Sequence, residues 1–289
     1  MRLAAIRAGL GVAGPSFDGT VHSVFARAVN LAVGDRLTAL VAAELGNFPR
    51  AYLVDAAPDF DFARHLAPGD PVACRGGILR VAGRELSVDL AHAAPWRAGL
   101  GQLAIDKSDR AIARTLETVA RRLAAHDHGV AFSRLAADRI AALAHATSRL
   151  DVDGASEGAT RLIGFGPGLT PSGDDYLVGF LAGLWSVASA DAAFHAFRLS
   201  FARRIVEAAR GTNEISQVFL EAAAEGEVSE RLATLAAAIA RAEPDAQLAA
   251  ACDAALDVGA SSGADGVAGL IAALDLFAVR VTERRAAIF

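Results

Sequence analysis

The stretch Gly164-Phe165-Gly166-Pro167-Gly168-Leu169-Thr170-Pro171-Ser172-Gly173-Asp174-Asp175, with the apolar run Tyr176 to Trp185 behind it, decides how the rest of the chain is read. Four glycines and two prolines within ten residues exclude a helix interior or a central strand. Glycine costs backbone entropy in either, and proline lacks the N–H that either ladder needs. A shaped loop opening into a helix remains. Ser172 with Asp175 three residues later has the form of a capping box. Thr170 followed by Pro171 is a competing start one step earlier, and the residues alone leave both open.

A second copy raises this stretch above an ordinary loop. Ser262-Gly263-Ala264-Asp265-Gly266-Val267-Ala268-Gly269 repeats Ser172-Gly173-Asp174-Asp175-Tyr176-Leu177-Val178-Gly179 as Ser-Gly-x-Asp-x-x-x-Gly, 90 residues on. That offset is too long for a solenoid period, so two related helix starts within one domain are expected. Gly179 and Gly183 lie four residues apart on one helix face, and Gly269 matches Gly179. Small residues at that spacing let backbones approach, so the two helices are expected to cross near Gly179 and Gly269, bringing both loops to one end. Converging helix N-termini concentrate unpaired N–H donors and positive dipole ends, a favourable setting for an anion.

The 289 residues carry a net charge of −5 and are 53% hydrophobic, alanine supplying much of that share. An acidic balance argues against nucleic acid or an anionic membrane as partner. Lys107 is the sole lysine, which removes Schiff-base and P-loop lysine chemistry elsewhere. Cys74 and Cys252 stand far apart without metal-ligand neighbours and fit buried, reduced thiols of a cytoplasmic protein. The uncharged run Ala8 to Pro15 is too short and glycine-rich for a signal peptide. The longest uncharged segment, Tyr176 to Ala190, falls short of the ~18 to 20 residues a membrane span needs.

The pattern gives an α+β chain. Residues 1–97 read as a β-rich barrel or sandwich: short runs at Val21–Val29, Arg36–Ala43, Arg50–Val54, Pro71–Cys74, Gly77–Val81 and Glu85–Leu90 are separated by turn signals. Phe17, Phe25, Phe48, Tyr52, Phe60 and Phe62 are the expected aromatic core of that half. Residues 98–289 read as all-α. Ile112, Leu116, Val119, Ala120 and Leu123 form one apolar stripe, and Leu135, Ile140, Leu143 and Ala144 another. Val152–Thr160 reads as the loop leading into the motif. Further helices are expected at Asp191–Ala209, Asn213–Ala224, Ser229–Ala242, Asp245–Leu256 and Asp265–Ala286. His126 and His128 flank Asp127 in an expected helix-ending turn. The remaining histidines are isolated and read as structural.

Each Ser-Gly-x-Asp, taken alone, is adequately explained as a helix cap. The first loop is longer than capping requires, and its backbone offers several N–H groups. Asp174 and Asp175 would repel a purely anionic ligand. A substrate carrying both a phosphate or carboxylate and an –NH2 group resolves the conflict, with loop N–H groups holding the anion and aspartates accepting from the amide. A Mg²⁺ ion bridging acids and phosphate is the other solution. The candidate catalytic residues are therefore Asp174, Asp175 and Asp265. Gly166, Gly168, Thr170, Ser172, Gly173, Thr212, Asn213, Ser261, Ser262 and Gly263 are the candidate binding residues. Thr212 or Asn213 also suits an N-cap, and Arg203, Arg204 and Arg210 could form an anion clamp. No Ser-His-Asp order, nucleophile elbow, Walker A or dinucleotide fingerprint is present.

The run Gly166 to Asp175, with Gly179, Thr212 to Ser216 and Ser261-Ser262-Gly263-x-Asp265, resembles the AllH family, a subunit of oxamate carbamoyltransferase. The resemblance implies a part in the exchange of oxalurate plus phosphate with oxamate plus carbamoyl phosphate, late in allantoin catabolism, and it implies sister subunits. Carbamoyl phosphate and oxamate each carry an anionic end and an –NH2. A non-catalytic metabolite-binding or assembly subunit is the second reading, and a nucleotide-dependent phosphotransferase the third.

Overall fold

The computed structural model describes residues 1–126 and 131–286, with side chains through Phe277, and divides into two compact units, Met1–Ala98 and the chain from Gly99 onward. The turn expected around Asp127 and His128 lies outside the described residues.

The first unit is a β-barrel. Strands β1 (Arg2–Gly9), β2 (Phe17–Val24), β3 (Ala28–Val33), β4 (Arg36–Ala42), β5 (Ala51–Asp55), β6 (Pro71–Arg75), β7 (Ile78–Val81) and β8 (Ser87–Asp89) follow the order β5-β4-β3-β2-β6-β7-β8-β1. Pairing of β1 with β5 closes the ring, and β9 (Ala94–Trp96) adds to the edge of β1 beyond β8. Closure removes the exposed edges that an open sheet would present. Alternate residues point inward: Val29 and Leu31 of β3, Val72 and Cys74 of β6, Leu79 and Val81 of β7. Phe60 and Phe62 meet edge to face at 4.9 Å within this core, and the Tyr52 hydroxyl donates to the Ala13 carbonyl at 2.7 Å. Of the expected aromatic core, Phe25 is exposed. The run Val21–Val29 is two antiparallel strands with Phe25 near the turn between them.

The second unit is helical: α1 (Arg110–Ala125), α2 (Ala131–Leu135), α3 (Ala137–Ser148), α4 (Val152–Thr160), α5 (Ser172–Ser186), α6 (Ala192–Ala208), α7 (Glu214–Ala224), α8 (Glu230–Ala240), α9 (Asp245–Leu256) and α10 (Ser262–Ala286). Residues 152–160, expected as a loop, are a helix. Asp151 caps it by accepting from the Gly154 N–H at 3.1 Å. Gly158 then lets α4 lie against α3, because a Cβ there would come within 2.9 Å of the Leu143 backbone. Leu135, placed by its spacing on an apolar stripe, is exposed, and Phe132 is buried in its place.

Helices α5 and α10 form the centre and run parallel. Leu177, Phe180, Leu181 and Leu184 on one, and Val267, Leu270 and Leu274 on the other, are buried. Each such side chain contributes roughly 1.5–3 kcal/mol. A Cβ on Gly179 would stand 1.8 Å from the Gly266 carbonyl oxygen, and one on Gly269 would stand 2.0 Å from that of Tyr176. Gly266 is the repeat equivalent of Tyr176, and Gly269 of Gly179. The two contacts are therefore one contact made twice, as across a two-fold axis between the helices. The expected crossing is present, one turn offset in register.

Candidate functional site

The axis between α5 and α10 brings their N-terminal turns together. The hydroxyls of Thr170 and Ser262 lie 2.9 Å apart. Both hydroxyls stand beside the Asp175 carboxylate and lower its pKa, Asp265 is within Coulombic range of it, and the Asp175 Oδ2 is buried with no hydrogen-bond partner. Asp175 and Asp265 hold equivalent positions in the sequence repeat, 90 residues apart, and the two helix starts bring these acids within Coulombic range of one another. Burial comes first among the causes that push the Asp175 carboxyl up to about 7, with repulsion from Asp265 and Asp174 adding to it. The two hydroxyls and the helix N-terminus oppose the shift. The dipole is worth about 0.3–1 kcal/mol at an exposed helix end and up to ~2 kcal/mol at a partly buried one, too little to reverse a shift of this size. Asp265 is 3% exposed, so water does little to screen the pair.

Neither expected cap forms. Helix α5 begins at Ser172 after Pro171, and no side chain caps it. Ser172 is thus the first helical residue, and Thr170 is occupied with Ser262. Asp174 works differently from its neighbour, although adjacent in sequence. Its Oδ1 accepts from the Gly164 N–H at 2.8 Å and its Oδ2 from the Thr212 hydroxyl at 2.6 Å, at 2% exposure. A helix turns about 100° per residue, so consecutive aspartates point to different surroundings. Asp174 ties the two ends of the motif loop to the turn before α7.

Gly173 and Gly263 are packing residues. A Cβ on Gly173 would meet the Leu162 carbonyl oxygen at 2.0 Å, and one on Gly263 would meet that of Ala255 at 2.1 Å. Their N–H groups are engaged, Gly173 with the Phe165 carbonyl at 2.8 Å and Gly263 with that of Val258 at 2.9 Å. The donors left over belong to the loop itself. Among the described residues, the N–H groups of Gly166, Gly168, Leu169 and Thr170 meet no acceptor. Gly166 and Gly168 have φ of 117° and 104°, a region open to glycine and strained for other residues. Ser261 accepts the Asp265 N–H at 2.9 Å through its carbonyl. Asn213 caps α7, accepting from the Ile215 and Ser216 N–H groups at 3.0 and 3.1 Å.

Sequence reasoning missed three supports of this loop. Phe165 is covered by the Arg139 guanidinium at 3.8 Å, flanked by Phe132 at 6.0 Å, and anchored by a bond from its N–H to the Leu162 carbonyl at 2.9 Å. None of these has a signal in spacing, because they come from α2, α3 and the end of α4. Arg203 and Arg204 line a different cleft of about 430 Å³ with Asp153 and Glu207, Arg204 pairing with Asp153 at 3.3 Å.

Both oxygens of Asp174 are committed to hydrogen bonds, and among the described residues no group of three His, Cys, Asp or Glu side chains could hold a metal. Among the described residues, no helix is long and apolar enough to cross a membrane.

Comparison with protein families gives two matches. Residues 162–274 match the family described as oxamate carbamoyltransferase subunit AllH, and residues 6–95 match the AllH family N-terminal domain. Comparison with curated proteins and with solved structures gives no match.

Proposed function

The chain belongs to the AllH family, and from that premise we propose that its paired turns bind the reactants of carbamoyl transfer between oxalurate and phosphate. The exchange joins a phosphate oxygen to the carbamoyl carbon of oxalurate and breaks the bond from that carbon to nitrogen. The proton of hydrogen phosphate ends on the departing nitrogen, so the products are carbamoyl phosphate and oxamate.

Two demands follow from this chemistry. The phosphate charge must be held, and the leaving nitrogen must gain a proton as its bond breaks. The N–H groups of Gly166, Gly168, Leu169 and Thr170 suit the first, beside the positive ends of α5 and α10. Asp175 suits the second. A carboxyl with its pKa near the working pH can both take the phosphate proton and deliver it to nitrogen, a role typically worth ~10²–10⁴ in rate. Asp265 faces it and accepts from the substrate –NH2. Thr170, Ser172 and Ser262 supply hydroxyls at the same place, while Asp174, Thr212, Asn213, Ser261, Gly173 and Gly263 hold the frame.

The observation that carries this reading is the meeting of Thr170, Ser262, Asp175 and Asp265 from two segments that lie far apart in sequence. Calorimetry on the full chain tests it with carbamoyl phosphate, oxamate and inorganic phosphate. Binding of carbamoyl phosphate that is lost in Gly168→Val, at a φ valine tolerates poorly, is expected. Silence from all three ligands, with activity dependent on the chain only as part of a complex, would instead favour an assembly subunit without a substrate site of its own. The exposed Leu169 at the loop apex is the feature that suits that second reading.

A further inference from the structure

Helix α6 has a second face on which Leu199 and Val206 are exposed while Ala202 between them is buried. Phe194, Phe197, Phe201 and Ile205 point inward and are buried. His195, Arg198, Leu199, Ala202 and Val206 recur at three, four and seven residues and therefore share another face. Leu199 is 51% exposed and Val206 37%. With Ala202, Arg203, Ala224 and Glu225 they line a groove of about 530 Å³. Two exposed apolar side chains gathered on one groove offer a small apolar seat for a partner side chain.

One turn before Ala202 on the same face, Arg198 lies over the Trp185 ring at 4.0 Å, with Phe194 at 5.9 Å. Its Nε is buried and has no hydrogen-bond partner. Its Nη2 stands 3.3 Å from His195 Nδ1, while His195 Nε2 lies 2.9 Å from the Ser189 carbonyl. A carbonyl can only accept, so Nε2 carries the hydrogen and Nδ1 is the acceptor for Arg198. Loss of water pushes the guanidinium below its usual range, and no carboxylate offsets it. A guanidinium has five donors arranged as a fork for a carboxylate. This one is half-buried and stacked on an aromatic ring, with no carboxylate paired to it among the described residues.

We propose that this face of α6 is the seat of a sister subunit of the carbamoyltransferase, which lays an apolar side chain into the Leu199–Val206 groove and brings a carboxylate to Arg198. The proposal rests on the family's description as a subunit, which requires a partner, and on the charge that the face lacks. A pre-ordered arginine on tryptophan beside a small apolar groove has the composition of an interface hot spot. Neither lies in the turn that holds Thr170 and Ser262, so the surface can be altered with the substrate site intact.

The experiment mixes the purified full chain with the other subunits of the complex and measures the assembly constant by sedimentation. Arg198→Glu and Leu199→Asp are each expected to weaken assembly at least ~100-fold, with circular dichroism and melting temperature of the isolated chain unchanged for Leu199→Asp. Leu135→Asp, at another exposed leucine, is expected to assemble like the unaltered chain. Assembly of Leu199→Asp and Arg198→Glu at unaltered strength would overturn the proposal and leave the proposed activity untouched. Self-association through this face, abolished by the same substitutions while assembly with the sister subunits persists, would overturn it equally. Failure of the unaltered chain to join any sister subunit would overturn both this proposal and the subunit reading beneath it.

Discussion

At the residue scale, adjacent aspartates divide the work. Asp174 has every acceptor position near it used, so Asp174→Ala leaves the Gly164 N–H and the Thr212 hydroxyl without partners. A loss of roughly 2–4 kcal/mol in denaturant unfolding is expected, since each orphaned polar group costs about 1–3 kcal/mol. Asp175 behaves in the opposite way. Its folded pKa of about 7 lies above the unfolded value of 3.8, so between those limits the native state keeps a proton that the unfolded chain has released. The contribution is fully present below about pH 4 and is lost as pH rises through 7. At about 1.36 kcal/mol per unit the whole shift is on the order of 4 kcal/mol. Asp175→Asn should therefore flatten the fall in stability between pH 4 and pH 8 and leave the variant the more stable of the two at pH 8. Melting curves across that range check it. The sequence marked both aspartates as candidates but could not tell them apart. Their difference comes from the rotation of α5, which turns one toward Gly164 and Thr212 and the other toward Ser262.

At the scale of elements, the repeat of Ser-Gly-x-Asp-x-x-x-Gly was legible because it needs only glycine at fixed places. Those places are where α5 and α10 touch each other and the ends of the segments before them. Gly179→Ala must push a methyl into the Gly266 carbonyl, whereas a Cβ on Gly266 finds its nearest atom at 3.7 Å. A cost of about 3 kcal/mol or more is expected for Gly179→Ala. Gly266→Ala should be neutral or stabilising by up to about 1 kcal/mol, since alanine is the better helix former. Equal effects of the two substitutions in urea unfolding would contradict the packing described. Among the elements that escaped the sequence, two have a clear physical cause. Residues 152–160 look like a loop because glycine, serine and aspartate dominate them, yet Asp151 starts a helix there and the glycines serve its contact with α3. Strand β1 is rich in alanine and arginine and carries no β-branched run, so only its pairing with β5, β8 and β9 defines it.

At the scale of the molecule, a barrel and a helical unit each have a core of their own. Closure of the barrel depends on β1, the strand that local patterning did not reveal. The short apolar runs of β4 to β7 announced a β-rich half, but periodicity alone does not say whether a sheet closes. Residues 1–97 expressed alone are expected to fold with a β-type circular dichroism spectrum and a cooperative melt, and a disordered fragment would contradict an independent barrel core. In the helical unit, the family resemblance and the physical reading converge on the same few residues. Their proposed chemistry rests on a proton held between the two repeats. Turnover of Asp175→Asn in the reconstituted carbamoyltransferase at pH 7 tests that claim most directly. A fall of ~10²–10⁴ with no loss of melting temperature is predicted, and unaltered turnover in a folded, assembled variant would contradict it.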